Sequence, residues 1–382
     1  MNNHNYLWPI VVLSTIYSST THADVKQEIE ALKSQILILK QKVVALENKV
    51  VSNKNEKLQE QQTREENQVV SISTAPKIKQ DVKLYATLRP TFGYIEEHGE
   101  NSTDVRDALS HAGFKSTTEF NENWKAILHA EWGIDLSNNG DFGKARQVYV
   151  ALDSPLGRIG IGKQRPAQYL FIAEYVDLFN HSSSPFAYDP ESLFFVNNLL
   201  TYQKSFGDFT FIAVGQYNGD DGDNYQDLLN TGVSYDHNGL HLALTYTTQD
   251  ALNTTEVIGN DDIIGASFAY QFTPELYIAL GYQDKEYKRS YSNTRNGHTF
   301  DASLAYILNE RYKMKLGYFD FEDGFNRLES KNYNGYNATF EWLPYDNLRF
   351  HIEYLKRNFK YQHDFQSLSF GFRYDYSQLW QY

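Results

Sequence analysis

The stretch GRIGIGKQ, residues 157–164, comes nearest in this sequence to a motif with chemistry of its own. It almost satisfies G-x-x-x-x-G-K, the loop that cradles phosphate groups. However, Gln164 stands where a Ser or Thr would bind Mg²⁺, and QRP follows where a helix should begin. The alternation of GRIGIG is instead typical of a β-strand with small residues on one face. We therefore predict a strand here and no nucleotide site.

Other candidate sites lack the spacing that their chemistry needs. Four acidic residues cluster in NGDDGDNYQD, but their positions do not follow the calcium-loop pattern, so we predict a solvated surface loop; they are Asp220, Asp221, Asp223 and Asp227. Eleven His are scattered without H-E-x-x-H, and no G-x-S-x-G is present. The sequence thus predicts no catalytic residue, no metal site and no cofactor.

The composition favours strands over a thick core. The chain of 382 residues has 29 Tyr and 24 Phe but only 2 Met and no Cys, and its mean hydropathy is −0.56. Many aromatics at modest hydrophobicity suit half-buried strands. Without Cys there is neither a disulfide framework nor a thiolate metal site. A net charge of −13 argues against nucleic acid as a partner, because phosphate binding needs basic patches.

The N-terminus indicates export. Residues 6–16 are mostly apolar and small residues follow at Thr21 and Ala23, which predicts a signal peptide over 1–23. No later stretch reaches the ~18 apolar residues of a membrane-spanning helix. If the mature chain crosses a membrane, it must therefore do so with strands.

Residues 24–50 carry a heptad pattern. Apolar residues step alternately by four and three, with β-branched residues at one position and mostly Leu at the other: Val25, Ile29, Leu32, Ile36, Leu39, Val43, Leu46 and Val50. This pattern predicts a coiled-coil helix; the alternative is an amphipathic helix packed on its own domain. Residues 51–80 are polar and charged, which predicts a linker without a core.

From residue 81 to 382 the period changes to two. Alternating segments such as ELYIALGYQ and LRFHIEYLK are separated in turn by short connections, such as DHNG and LPYDN, and by longer polar ones, such as IEEHGENSTDV, QDALNTTEVIGNDD and DKEYKRSYSNTRNG. Short turns at one end and long loops at the other are typical of an outer-membrane barrel. We predict an all-β fold, a transmembrane barrel of sixteen antiparallel strands, rather than a soluble sandwich or propeller.

Three motifs in order carry a family resemblance. HAGFKSTTEFNENWKAILHAEWGID, then ARQVYVALDSPLGRIGIGKQRP, then VNNLLTYQKSFGDFTFIAVGQYNGD resemble the general diffusion porins of Gram-negative bacteria. The resemblance covers the first half of the barrel by motif and the second half by architecture. It implies a homotrimer in the outer membrane whose third loop, here about 166–192, folds into each pore.

The resemblance also implies which residues line the pore. Glu174 and Asp177 would form the acidic side of the constriction and Arg146 matches a family arginine, whereas His111 and Phe195 stand where the family has two others. Strong anion preference is therefore not expected. Further candidates for the basic wall and the lumen are Arg89, Lys125, Glu131, Lys163 and Arg165.

We predict passive diffusion of small hydrophilic solutes and ions through a water-filled pore. Three alternatives stay open: a channel selective for phosphate or another anion, a barrel that only anchors a tether between outer membrane and cell wall, and a barrel-borne enzyme such as a lipase. The periplasmic coiled coil would bind the trimer together or reach the cell wall. The last strand ends either at Tyr376, near the family's usual terminal pattern, or at Tyr382, because Trp380 and Tyr382 keep the alternation.

Overall fold

A computed structural model of the chain describes residues 78–137, 140, 142–180, 193–217, 227–253, 256–325, 330 and 332–382. The described part is one antiparallel sheet of eighteen segments. They are β1 (Lys79–Leu88), β2 (Pro90–Glu97), β3 (Glu100–Asp107), β4 (His111–Asn121), β5 (Trp124–Ile134), β6 (Phe142–Ser154), β7 (Gly157–Gln164), β8 (Val196–Phe206), β9 (Phe209–Gln216), β10 (Leu228–His237), β11 (Leu240–Asn253), β12 (Glu256–Gln271), β13 (Leu276–Arg289), β14 (Ser292–Asn309), β15 (Tyr312–Glu322), β16 (Tyr333–Tyr345), β17 (Leu348–Phe359) and β18 (Phe365–Gln381).

The eighteen segments form sixteen strands, because β1 with β2 and β3 with β4 are each two halves of one strand. Each strand pairs with its neighbours in sequence, and β18 closes the sheet by pairing with both β1 and β2. The closing ladder reaches the last residue, since Gln80 and Tyr382 exchange two backbone hydrogen bonds. The predicted sixteen-stranded closed barrel is confirmed, and the final strand continues past Tyr376.

The first two strands are interrupted at the same height. The chain bends at Arg89, whose backbone N–H donates to the Ser110 hydroxyl at 2.7 Å. Opposite it, Leu109 adopts a φ of +68°, and the Ser110 N–H donates to the Asp107 carboxylate at 2.7 Å. Pro90 is the first residue of β2. Because the strand pairing is already interrupted there, the missing N–H of Pro90 costs no hydrogen bond between strands. Side chains thus satisfy the backbone where the ladder breaks.

Alternation along each strand separates a polar interior from an apolar exterior. In β18, Ser367 and Ser369 are buried inside the barrel, whereas Leu368 and Phe370 are about half exposed on the outside. Lys285, Gln283, Glu341 and Glu353 are among the most buried side chains of the described chain. Turning the apolar face outward and the charges inward is what a lipid environment requires of a barrel. The low mean hydropathy of the chain follows from this inversion.

Three of the predicted long loops are instead extended hairpins. β2 and β3 stay paired up to Glu97 and Glu100, around a two-residue turn in which His98 and Gly99 have φ of +55° and +79°. β11 with β12 and β13 with β14 are likewise joined by only two residues. The prediction of loops was wrong here because ladder pairing continues through polar residues beyond the apolar band. Polarity alone does not end a strand.

The lumen side also carries an apolar cluster near the loop end of β2 and β15–β18. Its buried members are Ile95, Phe319, Phe321, Tyr333, Leu355 and Phe365, with Phe359 packed against them. Ring pairs within it lie edge to face or tilted at 5.3–5.9 Å between centroids, as aromatic pairs prefer. One wall of the interior is therefore packed like a core and excludes water.

The predicted signal peptide, coiled coil and most of the linker lie outside the described residues, as do Asp220, Asp221 and Asp223. The predicted linker extends to residue 80, but β1 already begins at Lys79. The stretch GRIGIGKQ forms β7, as its alternation predicts. Among the described residues, no helix is long and apolar enough to cross a membrane.

Candidate functional site: the constriction of the barrel

The connection from β7 to β8 folds into the barrel. Its described part runs from Arg165 to Asn180 and resumes at residue 193; it contains a short helical segment, with π geometry over Tyr169–Ala173 and α geometry over Glu174–Val176. We call residues 165–195 the constriction loop. The predicted range of about 166–192 lies between β7 and β8, and its residues 181–192 lie outside the described residues.

Side chains of successive strands on the inner wall form hydrogen bonds with the backbone of the constriction loop. The Phe171 carbonyl lies 2.9 Å from His241 Nε2 and accepts a hydrogen bond from the Ser267 hydroxyl at 2.5 Å. The Ser303 hydroxyl donates to the Val176 carbonyl at 2.7 Å.

Further hydrogen bonds of this kind follow at residues 178–180 of the loop. Lys315 Nζ donates to the Leu178 carbonyl at 2.5 Å, Arg89 Nη2 donates to the Phe179 carbonyl at 3.1 Å, and the Asn180 N–H donates to the Glu353 carboxylate at 2.9 Å. Backbone groups that have no ladder partner are thus satisfied by lumen side chains.

Glycines on the wall make room for the apolar side chains of the loop. A Cβ placed on Gly265 would lie 2.3 Å from Ile172, and one on Gly317 would lie 2.5 Å from the ring of Phe179. Both loop residues are buried. The missing side chains in β12 and β15 therefore let the loop lie flat against the wall instead of standing in the passage.

The two loop carboxylates remain free of this packing. Glu174 and Asp177 are exposed to the lumen, although the barrel encloses them. This enclosure raises the pKa of both carboxyl groups. The nearby Arg165 opposes the rise in the pKa of Glu174, and Arg89 is the strongest of the cations that oppose it for Asp177. The loop therefore presents two acids to the passage.

Three arginines stand side by side on the wall near Asp177. Arg349 in β17 pairs in register with Arg373 in β18. Arg89 lies on the other side of β18, between the end of its pairing with β1 and the start of its pairing with β2. Arg373 Nε donates to Asp375 at 2.9 Å, while Arg349 lies 3.8 Å from the same carboxylate. We call Arg89, Arg349 and Arg373 the arginine row.

A second charged group lies on β4–β6 and β1. Arg146 Nε donates to Glu131 Oε1 at 2.7 Å, and the Tyr85 hydroxyl donates to Glu131 Oε2 at 2.8 Å. His111 Nε2 lies 3.9 Å from the same carboxylate, and its Nδ1 lies 2.9 Å from the Leu109 carbonyl. Arg146 is therefore paired rather than a free cation.

Phe195, at the end of the constriction loop, is an aromatic platform between two cations. The guanidinium of Arg146 lies 4.7 Å from its ring centre and that of Arg165 lies 5.1 Å from it. Arg165 also stacks on Tyr169 at 4.0 Å. Cation–π contacts of this kind fix the plane of a guanidinium without removing its charge. Phe195 occupies a position at which the family resemblance implies an arginine. Instead of carrying a charge itself, it orients the side chains of Arg146 and Arg165.

The structure is thus a closed barrel in which an inner loop is bound to the wall and charged side chains of both signs lie near that loop. The family model described as Gram-negative porin matches residues 68–380. The chain belongs to the Gram-negative porin family. Porins are outer-membrane diffusion channels, and this one is an outer-membrane barrel that forms such a channel.

Solved structures agree with this porin in fold. An anion-selective porin from Comamonas acidovorans is similar at a TM-score of 0.66 and 16% identity, over 78% of this chain and 100% of the other. OmpF from Salmonella typhi, in complex with daunomycin, gives 0.63 and 15%, over 78% and 97%. The outer-membrane channel DcaP of Acinetobacter baumannii gives 0.62 and 10%, over 78% and 97%. A comparison with curated proteins finds no match.

Two predicted pore residues lie away from the constriction of the porin. Lys125 forms an ion pair with Glu119 at 2.5 Å beside the short turn between β4 and β5. Lys163 pairs in register with Val148, an exposed residue of the outer face, so it lies on the side of β7 that faces away from the lumen. The prediction of Lys163 as a pore residue was wrong, because its alternation follows Ile159 and Ile161 on the outside.

Sequence reasoning missed Lys315, Arg349 and Arg373. Arg349 alternates with Phe350 along β17, and Arg373 lies between Phe372 and Tyr374 in β18. The same period of two that placed the outer aromatics on one face assigns these cations to the other. The alternation therefore predicts that Arg349 and Arg373 face the lumen, whereas the family motifs cover only the first half of the barrel and give no role to these two residues.

Proposed function

We propose that this porin is a passive diffusion channel for small hydrophilic solutes and ions, with charges of both signs at the constriction and little ion selectivity. Transport involves no catalytic step and no coupled energy source. The observation that supports this proposal is the attachment of the constriction loop to the inner wall of the barrel, which leaves its two carboxylates facing the lumen. Six of its residues are held by the wall through hydrogen bonds or packing into glycine sites, whereas Glu174 and Asp177 stay exposed to the lumen.

The charges near the constriction largely cancel. Three pairs are already neutralised within the wall: Arg146 with Glu131, Lys315 with Glu341 and Arg373 with Asp375. Against the acids of the loop stand Arg89 and Arg165, which oppose the raised pKa of those acids. Opposite charges across a narrow aqueous passage create a transverse field that orients dipolar solutes. The balance favours weak selectivity.

A channel with anion preference is the second candidate. The arginine row favours it, because Arg349 is paired only at 3.8–3.9 Å, and the Comamonas porin with a similar fold is named as anion-selective. The two candidates differ in the sign and size of the reversal potential.

We further propose a homotrimer with the coiled coil at residues 24–50 in the periplasm. The solved OmpT of Vibrio cholerae, with a TM-score of 0.62, is described in a trimer form. A heptad helix on each chain would reinforce such a trimer or reach the cell wall. Deleting residues 24–77 should lower the temperature at which trimers dissociate in detergent or release the protein from the envelope. If neither changes, both roles of the helix are wrong.

The first test is the current through purified protein in a planar lipid bilayer under a KCl gradient. We expect stepwise ohmic conductance in groups of three and a reversal potential near zero. A large reversal potential of the anionic sign would favour the second candidate. A bilayer that stays sealed while the barrel is folded would refute a channel of either kind.

A further inference from the structure

A side cavity of about 300 Å³ opens beside the constriction loop, against β6–β9. Its volume is at the lower end of the range for small-molecule sites, which is about 300–1,000 Å³. Polar side chains from three strands and the constriction loop line it: Gln147 of β6, Gln164 of β7, Gln203 of β8, and Arg165 and Glu174 of the loop.

The side-chain amide of Gln164 is buried. Its side chain is only 8% exposed. Its amide oxygen accepts a hydrogen bond from the Thr201 hydroxyl at 3.3 Å, but its Nε2 has no hydrogen-bond partner among the described residues. Leaving a buried N–H unpaired is unfavourable, and a ligand oxygen that accepts from it removes that penalty.

Arg165 supplies a positioned cation. Its guanidinium stacks between Tyr169 and Phe195, so its plane is fixed before any ligand arrives. It forms no ion pair within the described part of the chain, and its buried Nε has no hydrogen-bond partner there. A planar, preorganised guanidinium is the group best suited to a carboxylate. Gln164 Nε2 and Arg165 Nε are thus two donors that lack an acceptor among the described residues, on consecutive residues that line the same cavity.

Glu174 supplies the opposite charge. It also forms no ion pair with any described residue and lines the same cavity. The other cation of the cavity, Arg158, is already neutralised, because its Nε and Nη2 donate to the two oxygens of Asp153 at 2.5 and 2.9 Å. Among the described residues that line the cavity, Arg165 and Glu174 are thus the cation and the anion that form no ion pair within 4.0 Å, although their charges act on each other at longer range.

We propose that this cavity is a binding site for a small zwitterion that carries a carboxylate and an ammonium group, as free amino acids do. The carboxylate lies against Arg165 and Gln164, and the ammonium lies against Glu174. Gln147 and Gln203 accept or donate to a polar side chain of the solute. The inference rests on the proposed function, since the solute reaches the site through the lumen.

The test uses full-length protein in detergent micelles and L-glutamine as the probe, with binding heat measured by titration calorimetry. Butyrate and butylamine, which carry one of the two charges each, serve as comparison ligands. Losing one charge-assisted contact should weaken L-glutamine binding about tenfold or more. We expect this loss for Glu174→Gln and for Arg165→Gln, and a smaller loss for Gln164→Leu.

Glu119→Gln is the matched control, because it removes a carboxylate that pairs with Lys125 beside the short turn between β4 and β5 and does not line the cavity. It should bind L-glutamine like the natural chain. Binding that is absent in the natural chain, equal for butyrate and L-glutamine, or unchanged in Glu174→Gln would overturn the proposal. KCl conductance measured on the same preparation reports separately whether the channel itself is open, so failure of the binding site and failure of the proposed function are distinguishable.

Discussion

Replacing Gly317 with Ala should push the constriction loop off the wall. The new Cβ would lie 2.5 Å from Cζ of Phe179, whereas carbon atoms pack at about 3.5 Å or more, so the ring must shift by about 1 Å. Phe179 is buried at 6% exposure and its carbonyl accepts from Arg89. The shift therefore strains the segment that holds Asp177 beside the arginine row.

The expected magnitude follows from overpacking. An extra methyl in a packed site costs about 1–3 kcal/mol, which lowers the ratio of docked to undocked loop about 5- to 150-fold. In single-channel recordings at fixed voltage, we expect frequent brief closures and a lower mean conductance, because an undocked loop stands in the passage.

Gly133→Ala is the control for this experiment, since the nearest atoms to its new Cβ are backbone oxygens at 3.8 and 3.9 Å. It should conduct like the natural chain. If Gly317→Ala shows the same conductance and the same closed fraction as Gly133→Ala, the glycine sites do not hold the loop and the reasoning fails.

Three further predictions concern charge and closure. Lowering the pH should shift the KCl reversal potential toward anion preference already above the ordinary carboxylate range, because enclosure raises the pKa of Glu174 and Asp177 while arginines stay charged; a variant with both as amides should show no such shift. Lys315→Met should lower the free energy of unfolding in urea by about 3 kcal/mol, since it removes the cation that contacts the buried Glu341 at 2.6 Å and leaves it with Arg349 at 3.9 Å and the Asn180 amide, and adding Glu341→Gln should restore most of the loss; no restoration would contradict the pairing. Truncation after Tyr376 should abolish heat-resistant migration of the folded barrel in gels, because it removes the pairing between the final residues and β1; a folded truncated barrel would refute this.

The sequence predicts the barrel well because one physical rule acts on every strand. Lipid and water select opposite faces, so Leu368 and Phe370 identify the outside and Ser367 and Ser369 the inside without any knowledge of partners. The same rule would have assigned Arg373 to the lumen.

The constriction was less predictable, because its contacts join residues far apart in the sequence. Nothing in Phe195 indicates that it would stack on Arg146 and Arg165. Likewise, the role of Gly317 is visible only once Phe179 lies against it. Turn positions were mispredicted for a local reason, since His98 and Gly99 allow a tight reversal inside a polar stretch that reads as a loop.

The pairing of Gln80 with Tyr382 determines the order in which the barrel can assemble. The two ends of the sheet are about 300 residues apart in the chain, and every intermediate that lacks the final strand exposes two open edges that lipid cannot satisfy. Such long-range pairing is slow and leaves the nascent sheet prone to aggregation. The barrel can therefore close only after its final strand is available to pair with β1 and β2, and until then the two open edges have to be kept away from lipid.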